Sequence, residues 1–501
     1  MKLTLRNLAI AAAMFGTCSA YAAEGVTTDR GQFVYNLKQV LESDNHYTIT
    51  FDATGDAASA VLLLTQAETN EVISITLGEV KKGENSFNVN LDEYAEEGLG
   101  KYTWSIELHN YAIPEDVVTK PVNIGGNRGG VVCMVDPTNE FYGYTVIGRT
   151  KNGGFDVYNQ VGEKIMDAVH QNNAAQGGTG ANNSCPMRGV QRGTTAQFAN
   201  WGDKANGVVA FDLANPEAEP YGVFEGVNNG KGLIEFTGEE GTVSVGSGTP
   251  TVAYAGEGEN TILFTFDEDI FGNALAANPI GTAMTTNKAA ENWGFASQMA
   301  HTNVGLLGTK NGLFYSQNRA NGMDPDVHGI GYIDIATKEL VWTAAMEDNA
   351  DFLASATGGI DINPAGDLFA ISTYTSINVY HLSWDGNKPV MEPYKVIASP
   401  YQVSNQYTTL KFDAGNNLHV INQTNGYYQV ILGQEEGVTV TPALAEDAIQ
   451  ITSGVESVNY DNEEVAPVYY NLMGVRVNSD ALTPGVYVKV VGKKATKVVV
   501  K

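Results

Sequence analysis

One device recurs along the middle of this chain and restricts what it can fold into: a Gly-, Asn- or Asp-rich reversal feeding a short run of alternating apolar residues. Its form is clearest from Gly359 to Ser372, where Gly-Ile-Asp-Ile-Asn and Leu-Phe-Ala-Ile-Ser flank Pro364-Ala365-Gly366-Asp367. Apolar residues at every second position turn one strand face toward a core, and Gly with Asp at the break permits a tight antiparallel reversal. The device returns at Lys151-Asn152-Gly153-Gly154, Lys204-Ala205-Asn206-Gly207, Glu257-Gly258-Glu259-Asn260, Lys310-Asn311-Gly312-Leu313 and Ala414-Gly415-Asn416-Asn417. Reference positions 153, 207, 259, 312, 366 and 415 lie 54, 52, 53, 54 and 49 residues apart. A period near fifty residues, with several short strands in each, predicts a β-propeller with one repeat per blade.

The later repeats divide into four strands. Thr408–Phe412, Leu418–Asn422, Tyr427–Leu432 and Val438–Thr441 make one set, and the runs near Gly359, Leu368, Ile377 and Tyr394 make another. Gly329–Ile335 and Thr337–Trp342 read as the two outer strands of a further blade. Six reversals predict six blades. The third strands, however, begin near 155, 208, 262, 331, 377 and 427, which leaves one outlying gap of 69 and keeps seven blades open. That gap has a simple source if the first three reversals join a different strand pair from the last three.

Asp361 to Ser372 and Phe412 to Asn422 resemble the strand-turn-strand unit of NHL-type and gluconolactonase-like propellers. That group holds both enzymes and binding scaffolds, so the resemblance implies an architecture and leaves activity open.

The chain opens with Lys2 and Arg6, an apolar segment from Leu8 to Phe15, and Ala20-Tyr21-Ala22, the pattern of a secretory signal peptide over 1–22 with an A-x-A cleavage site. Phe15-Gly16-Thr17 before Cys18 makes a poor lipobox. No later apolar run reaches the roughly 20 residues that span a bilayer. The expectation is an exported chain, periplasmic, at the cell surface or extracellular. Cleavage removes Lys2 and Arg6 and no acid, leaving 27 Lys+Arg against 57 Asp+Glu, a net charge of −30. Such a charge argues against nucleic acid or an anionic membrane as partner. Only Cys133 and Cys185 remain after cleavage, about one blade apart; they either form a disulfide or stand as two buried thiols.

Four regions follow: the signal peptide; an immunoglobulin-like β-sandwich over 24–125; the propeller over 127–445; and a small β domain over 453–501. The sandwich rests on Tyr47–Phe51, Ala60–Leu64, Glu71–Ile75, Ser86–Val89 and Lys101–Ile106, regularly spaced strands with turn residues between them. Gly100-Lys101-Tyr102-Thr103-Trp104 resembles a late strand of immunoglobulin-like modules in bacterial surface proteins. In the tail, Val468-Tyr469-Tyr470-Asn471-Leu472-Met473-Gly474-Val475-Arg476-Val477 precedes Leu482–Lys489 and a basic terminal strand from Lys493 to Lys501. This tail resembles the C-terminal sorting domains of type IX secretion in Bacteroidetes, which implies the secretion machinery as a partner. The fold class is therefore all-β, a propeller flanked by an N-terminal sandwich and a small C-terminal β domain.

Function is sought in the long connections between repeats: Gln176–Gly193, Met284–Thr302, Met346–Thr357 and Ser399–Thr408. They carry Asn292, Trp293, His301, Phe352, Tyr401, Asn405, Gln406 and Tyr407. Aromatic rings stack on sugar faces and amides bond hydroxyls, so these residues suit a glycan, or else they pack and cap their own loops. The seven histidines show no metal-binding spacing, and Asp267–Asp269 and Asp324–His328 read as solvated acidic turns rather than calcium loops. No nucleophile elbow or phosphate loop occurs. No cofactor is called for. The reading is a non-catalytic binding protein for a glycan or a surface protein, with a propeller hydrolase, lyase or lactonase as the alternative.

Overall fold

The computed structural model describes residues 31–95, 98–110, 113, 115–124, 129–149, 153–171, 186–200, 207–225, 241–243, 252–255, 262–265, 303–309, 311–318, 330–334, 337, 339–343, 356–373, 375–400, 408–422, 426–434, 436–452, 467–479, 482–491 and 494–500. Among them the regular structure is all β apart from short 3-10 turns at Asp92–Tyr94 and Ala445–Asp447. No helix there is long and apolar enough to cross a membrane.

The N-terminal sandwich packs two antiparallel sheets. One holds Val34–Ser43, His46–Ala53 and Gly83–Asn90; the other holds Ala57–Gln66, Val72–Val80 and Gly100–Asn110. His46–Ala53 alternates strictly between half-buried and buried positions, as a strand with one face on a core must. Ile49, Phe51, Leu62, Leu64, Trp104 and Ile106 fill the space between the sheets. Each such fully buried side chain contributes roughly 1.5–3 kcal/mol.

Among the described residues six sheets follow, five of four strands and one, Gly241–Val243 with Val252–Ala255 and Ile262–Thr265, of three. Each is an antiparallel meander, and the first strands touch in sequence until Thr408–Phe412 meets Gly129–Cys133, so the ring closes. This is the β-propeller. Neighbouring sheets pack through apolar faces; Phe155 of the first lies stacked on Phe211 of the second, with ring centroids 5.0 Å apart. The third strands begin at Phe155, Gly207, Ile262, Ile330, Ser376 and Gly426, at or within one residue of the positions expected from sequence. The reversals at 153, 207 and 259 join second to third strands, whereas those at 312, 366 and 415 join first to second. That switch produces the outlying gap.

One strand assignment is overturned. Val438–Thr441 does not complete the last sheet. Gly437–Pro442 instead pairs with Gly100–Asn110, and Ile449–Ile451 pairs with the same strand, so both join the sandwich. The physical reason lies in their burial: Thr441 is buried and donates to the Val34 carbonyl at 3.2 Å, while Ile449 and Ile451 enter the sandwich core. The vacant fourth place in the last sheet is taken by Val117–Val118, which pairs with Ile431 and Val430. A strand entering from one end of the propeller thus locks the sheet formed at the other.

The tail forms a four-stranded antiparallel sheet of Val468–Asn471, Arg476–Val477, Gly485–Val491 and Lys494–Val500. Gly474 occupies φ +73° in its first turn, where Asn471 Oδ1 accepts from the Met473 and Val475 amides. Glycine takes that left-handed conformation without a Cβ clash.

Candidate functional site

Asn292, Trp293, His301, Phe352, Tyr401, Asn405, Gln406 and Tyr407 all lie outside the described residues, as does Cys185. Cys133 is a free, buried thiol at the end of the first strand of sheet one. What the structure does define is the opposite mouth of the channel. In a meander each strand reverses, so first and third strands end on one propeller face while the loops between sheets open on the other. The cavity described here, about 540 Å³, sits where the first strands end. That volume is within the usual range for a ligand site.

Its floor is a charged pair. Asp361, near the end of its strand, accepts from Lys411 Nζ at 2.9 Å and from the Phe412 amide at 2.8 Å, stitching the fifth sheet to the sixth. Burial pushes the Asp361 carboxyl above the ordinary carboxylate range, and Lys411 opposes that rise. Gln191 plays the same stitching part between sheets two and one, its Oε1 accepting from the Val135 and Asp136 amides at 2.7 and 3.0 Å. Asn363 joins the turns of sheets five and six by donating to Asn416 Oδ1 at 3.0 Å, and its own oxygen holds the Asp367 and Leu368 amides. These polar groups shape the mouth and are already satisfied. Groups with spare capacity are fewer: the Lys411 ammonium, which has three N–H and gives one to Asp361, the exposed Asn311, and Trp384 at the rim.

Neither Asp361 nor the thiol is set up as a reagent; a second carboxylate, Asp136, also lines the cavity, its Oδ1 accepting from the Thr138 amide and hydroxyl at 2.9 and 2.7 Å. Asp361 faces a cation at bonding distance, and the Cys133 thiol is pushed well above its usual range by burial, with Asp413 and Asp361 adding to the effect. A protonated buried thiol is a poor nucleophile. Among the described residues no three His, Cys, Asp or Glu side chains gather to hold a metal ion.

The sandwich walls one side of this face. Asn417 Oδ1 accepts from the Gly31 amide at 2.7 Å, and Gly31 approaches Gly415 so closely that a Cβ on either would strike backbone. Phe33 meets the Tyr142 ring edge-on, centroids 5.6 Å apart, with Ala414 completing the contact. Burial raises the Tyr142 hydroxyl to about 12. Beneath, Asp413 binds His419 Nε2 at 3.0 Å while His419 Nδ1 meets the Tyr427 hydroxyl at 2.8 Å, a sealed network that stiffens the last sheet.

Sequence reasoning passed over Trp384. Its signal was present, since Trp384 precedes Asp385-Gly386-Asn387, a hairpin turn, at the end of a ten-residue third strand.

No protein-family model matches the chain, and no curated protein matches it. Solved β-propeller structures do resemble it weakly. Virginiamycin B lyase from Staphylococcus aureus shows 14% identity and a TM-score of 0.31, over 64% of this chain and 100% of that one. BamB from Moraxella catarrhalis shows 10% identity and a TM-score of 0.26, over 64% and 90%. Hsv2 from Kluyveromyces lactis shows 12% identity and a TM-score of 0.22, over 57% and 68%. At these values the likenesses carry no functional argument, and the propeller stands on its own closed ring of meanders.

Proposed function

We propose that this is an exported, non-catalytic binding protein whose propeller receives a glycan or a segment of a surface protein in the channel mouth. One observation carries the reading: a cavity of about 540 Å³ in which Asp361 is neutralised by Lys411, Asp136 caps its own turn through Thr138, and the thiol is held protonated, leaving donors and an aromatic ring to face a ligand. A hydrolase or lyase would need a carboxylate placed to act on its substrate; Asp361 is committed to the pair, and Asp136 holds the Thr138 turn through its Oδ1. On this reading residues 1–22 are a signal peptide, the sandwich is an immunoglobulin-like spacer, and 453–501 sort the protein outward. The sandwich then spans 31–110 together with 437–452, and a six-bladed propeller is inserted between those parts.

Screening the mature chain against immobilised glycans and surface proteins, with product analysis in parallel, tests the reading. Saturable binding without product, lost in Asn311→Trp where the added indole plugs the mouth, is the expected outcome. Turnover abolished by Asp361→Asn or by Asp136→Asn overturns it. Deleting 453–501 is expected to retain the protein in the periplasm; undiminished export would reduce the tail to a structural cap.

A further inference from the structure

Among the described residues third strands are short, four to six residues in five of the sheets, but Ser376–Asp385 has ten and its partner Lys388–Ala398 has eleven. After a register shift between Val379 and Tyr380 the pairing runs unbroken from Tyr380↔Pro393 to Asp385↔Lys388, so the fifth sheet extends as an ordered hairpin beyond its neighbours. First-to-second and third-to-fourth turns share a face, so this hairpin rises beside the channel mouth. It carries Trp384 there. The indole stays 40% exposed although it is backed by an aromatic cluster: Tyr332 at 5.2 Å in edge contact, Phe314 at 6.1 Å, and Phe369 behind Phe314 at 5.0 Å. A large ring held rigid from behind and left open toward a cavity costs apolar exposure that a hairpin trimmed to the common length would avoid.

We infer that Trp384 is the platform on which the ring of a neutral saccharide stacks, with its hydroxyls reaching the Lys411 ammonium. This rests on the channel-mouth reading and names its ligand class. An indole face contacts the C–H face of a pyranose over a wide area with little entropy lost, because the ring is already fixed. The charge balance selects neutral over anionic sugars: Lys411 is paired with Asp361, so an anionic sugar gains no free cation, and Asp136 adds a second acid to the lining of an already acidic chain.

Calorimetric titration of the full chain with neutral hexose oligosaccharides and with uronate oligosaccharides of matched length tests the inference. Neutral saccharides are expected to bind and to shift the tryptophan emission. Trp384→Ala should weaken that binding roughly tenfold or more, as loss of an aromatic anchor does, and Trp384→Phe should recover part of it. Circular dichroism of both variants should match wild type. Asn311→Trp separates the two levels of the argument. Saccharide binding lost in Asn311→Trp but unchanged in Trp384→Ala keeps the mouth and removes Trp384 from it. Binding unchanged in both overturns the site itself. Preference for the uronates, or no binding of either class at millimolar concentration, overturns the ligand class.

Discussion

Replacing Asn417 by Ala tests how the sandwich is held on the propeller. The side chain is 1% exposed and touches both domains. Its Nδ2 donates to both Asp413 oxygens at 2.9 Å and to the Gly31 carbonyl at 3.3 Å, while its Oδ1 accepts from the Gly31 amide at 2.7 Å. Alanine removes a hydrogen bond to a buried carboxylate, about 1.5–3 kcal/mol, and leaves the Gly31 amide without that partner, about 1 kcal/mol more. A loss near 3 kcal/mol corresponds to roughly a hundredfold rise in the local opening constant. Amide hydrogen exchange over 31–53 and 408–422 reads that constant directly, which suits a chain of several domains better than a single unfolding midpoint. Asn417→Asp keeps the acceptor for Gly31 but sets a second carboxylate against Asp413, so its loss should be at least as large. Exchange accelerated less than fivefold in Asn417→Ala would refute the claim that this amide joins the domains.

Other expectations concern titration and closure. Asp361→Asn should cost about 3 kcal/mol at neutral pH by stranding Lys411. A carboxyl whose folded pKa is raised favours the folded state increasingly as pH falls through that pKa, levelling off below its unfolded value of 3.8. Denaturant titrations should therefore show the deficit of this variant widening from pH 7 toward pH 4, and a constant or shrinking deficit contradicts the burial argument. Tyr142, raised to about 12 against an unfolded 10.0, stabilises the fold below pH 10 and loses that contribution as pH climbs toward 12. Tyr142→Phe should flatten this alkaline limb in thermal melts. Iodoacetamide should leave Cys133 unmodified in the native chain and alkylate it in denaturant, as read by peptide mass spectrometry. Ending the chain at Leu432 should unfold the sandwich, because Ile449, Ile451 and the carbonyl that accepts from Trp104 Nε1 at 2.7 Å all leave with the deleted segment. Ending it at Thr452 should leave the sandwich melt unchanged.

Local pattern carried most of the fold. Alternation and turn chemistry act over about ten residues, which is the scale on which a meander is written, and the third strands were legible for that reason. Pairing across the chain was not. Val117–Val118 is two residues long and has no period to read, yet it closes the ring. Gly437–Pro442 alternates between buried and exposed positions, and nothing in its own sequence says that its partners lie 327 to 337 residues away, from Gly437↔Asn110 to Pro442↔Ser105. The site was hidden for a related reason. Loops were ranked by aromatic and amide content, but which face a loop opens on depends on where its strand stands in the meander. Asp361 and Gln191 looked like ordinary strand positions, and only the ring shows that they end at one mouth.

Those long-range pairings also bear on what the mouth can accept. The strand leaving the sandwich at Asn110 and the strand returning at Gly437 pair with each other, and their continuations meet again at Ile113↔Gln434 and Val118↔Val430. The domains are therefore joined by a two-stranded ribbon rather than by a single linker. Asp116 clamps its middle, its Oδ1 accepting from Lys395 Nζ and from the Gly433 amide, each at 2.7 Å. Bending such a ribbon requires breaking backbone pairs on both strands together, whereas a single chain bends by rotation alone. With the Gly31 and Asn417 contact fixing the sandwich at a second point, the wall it forms beside the sixth and first sheets stays in place. The hairpin bearing Trp384 rises from the fifth sheet, next to the sixth. On the binding reading we propose, a ligand would meet these elements already in place rather than draw them closed around itself.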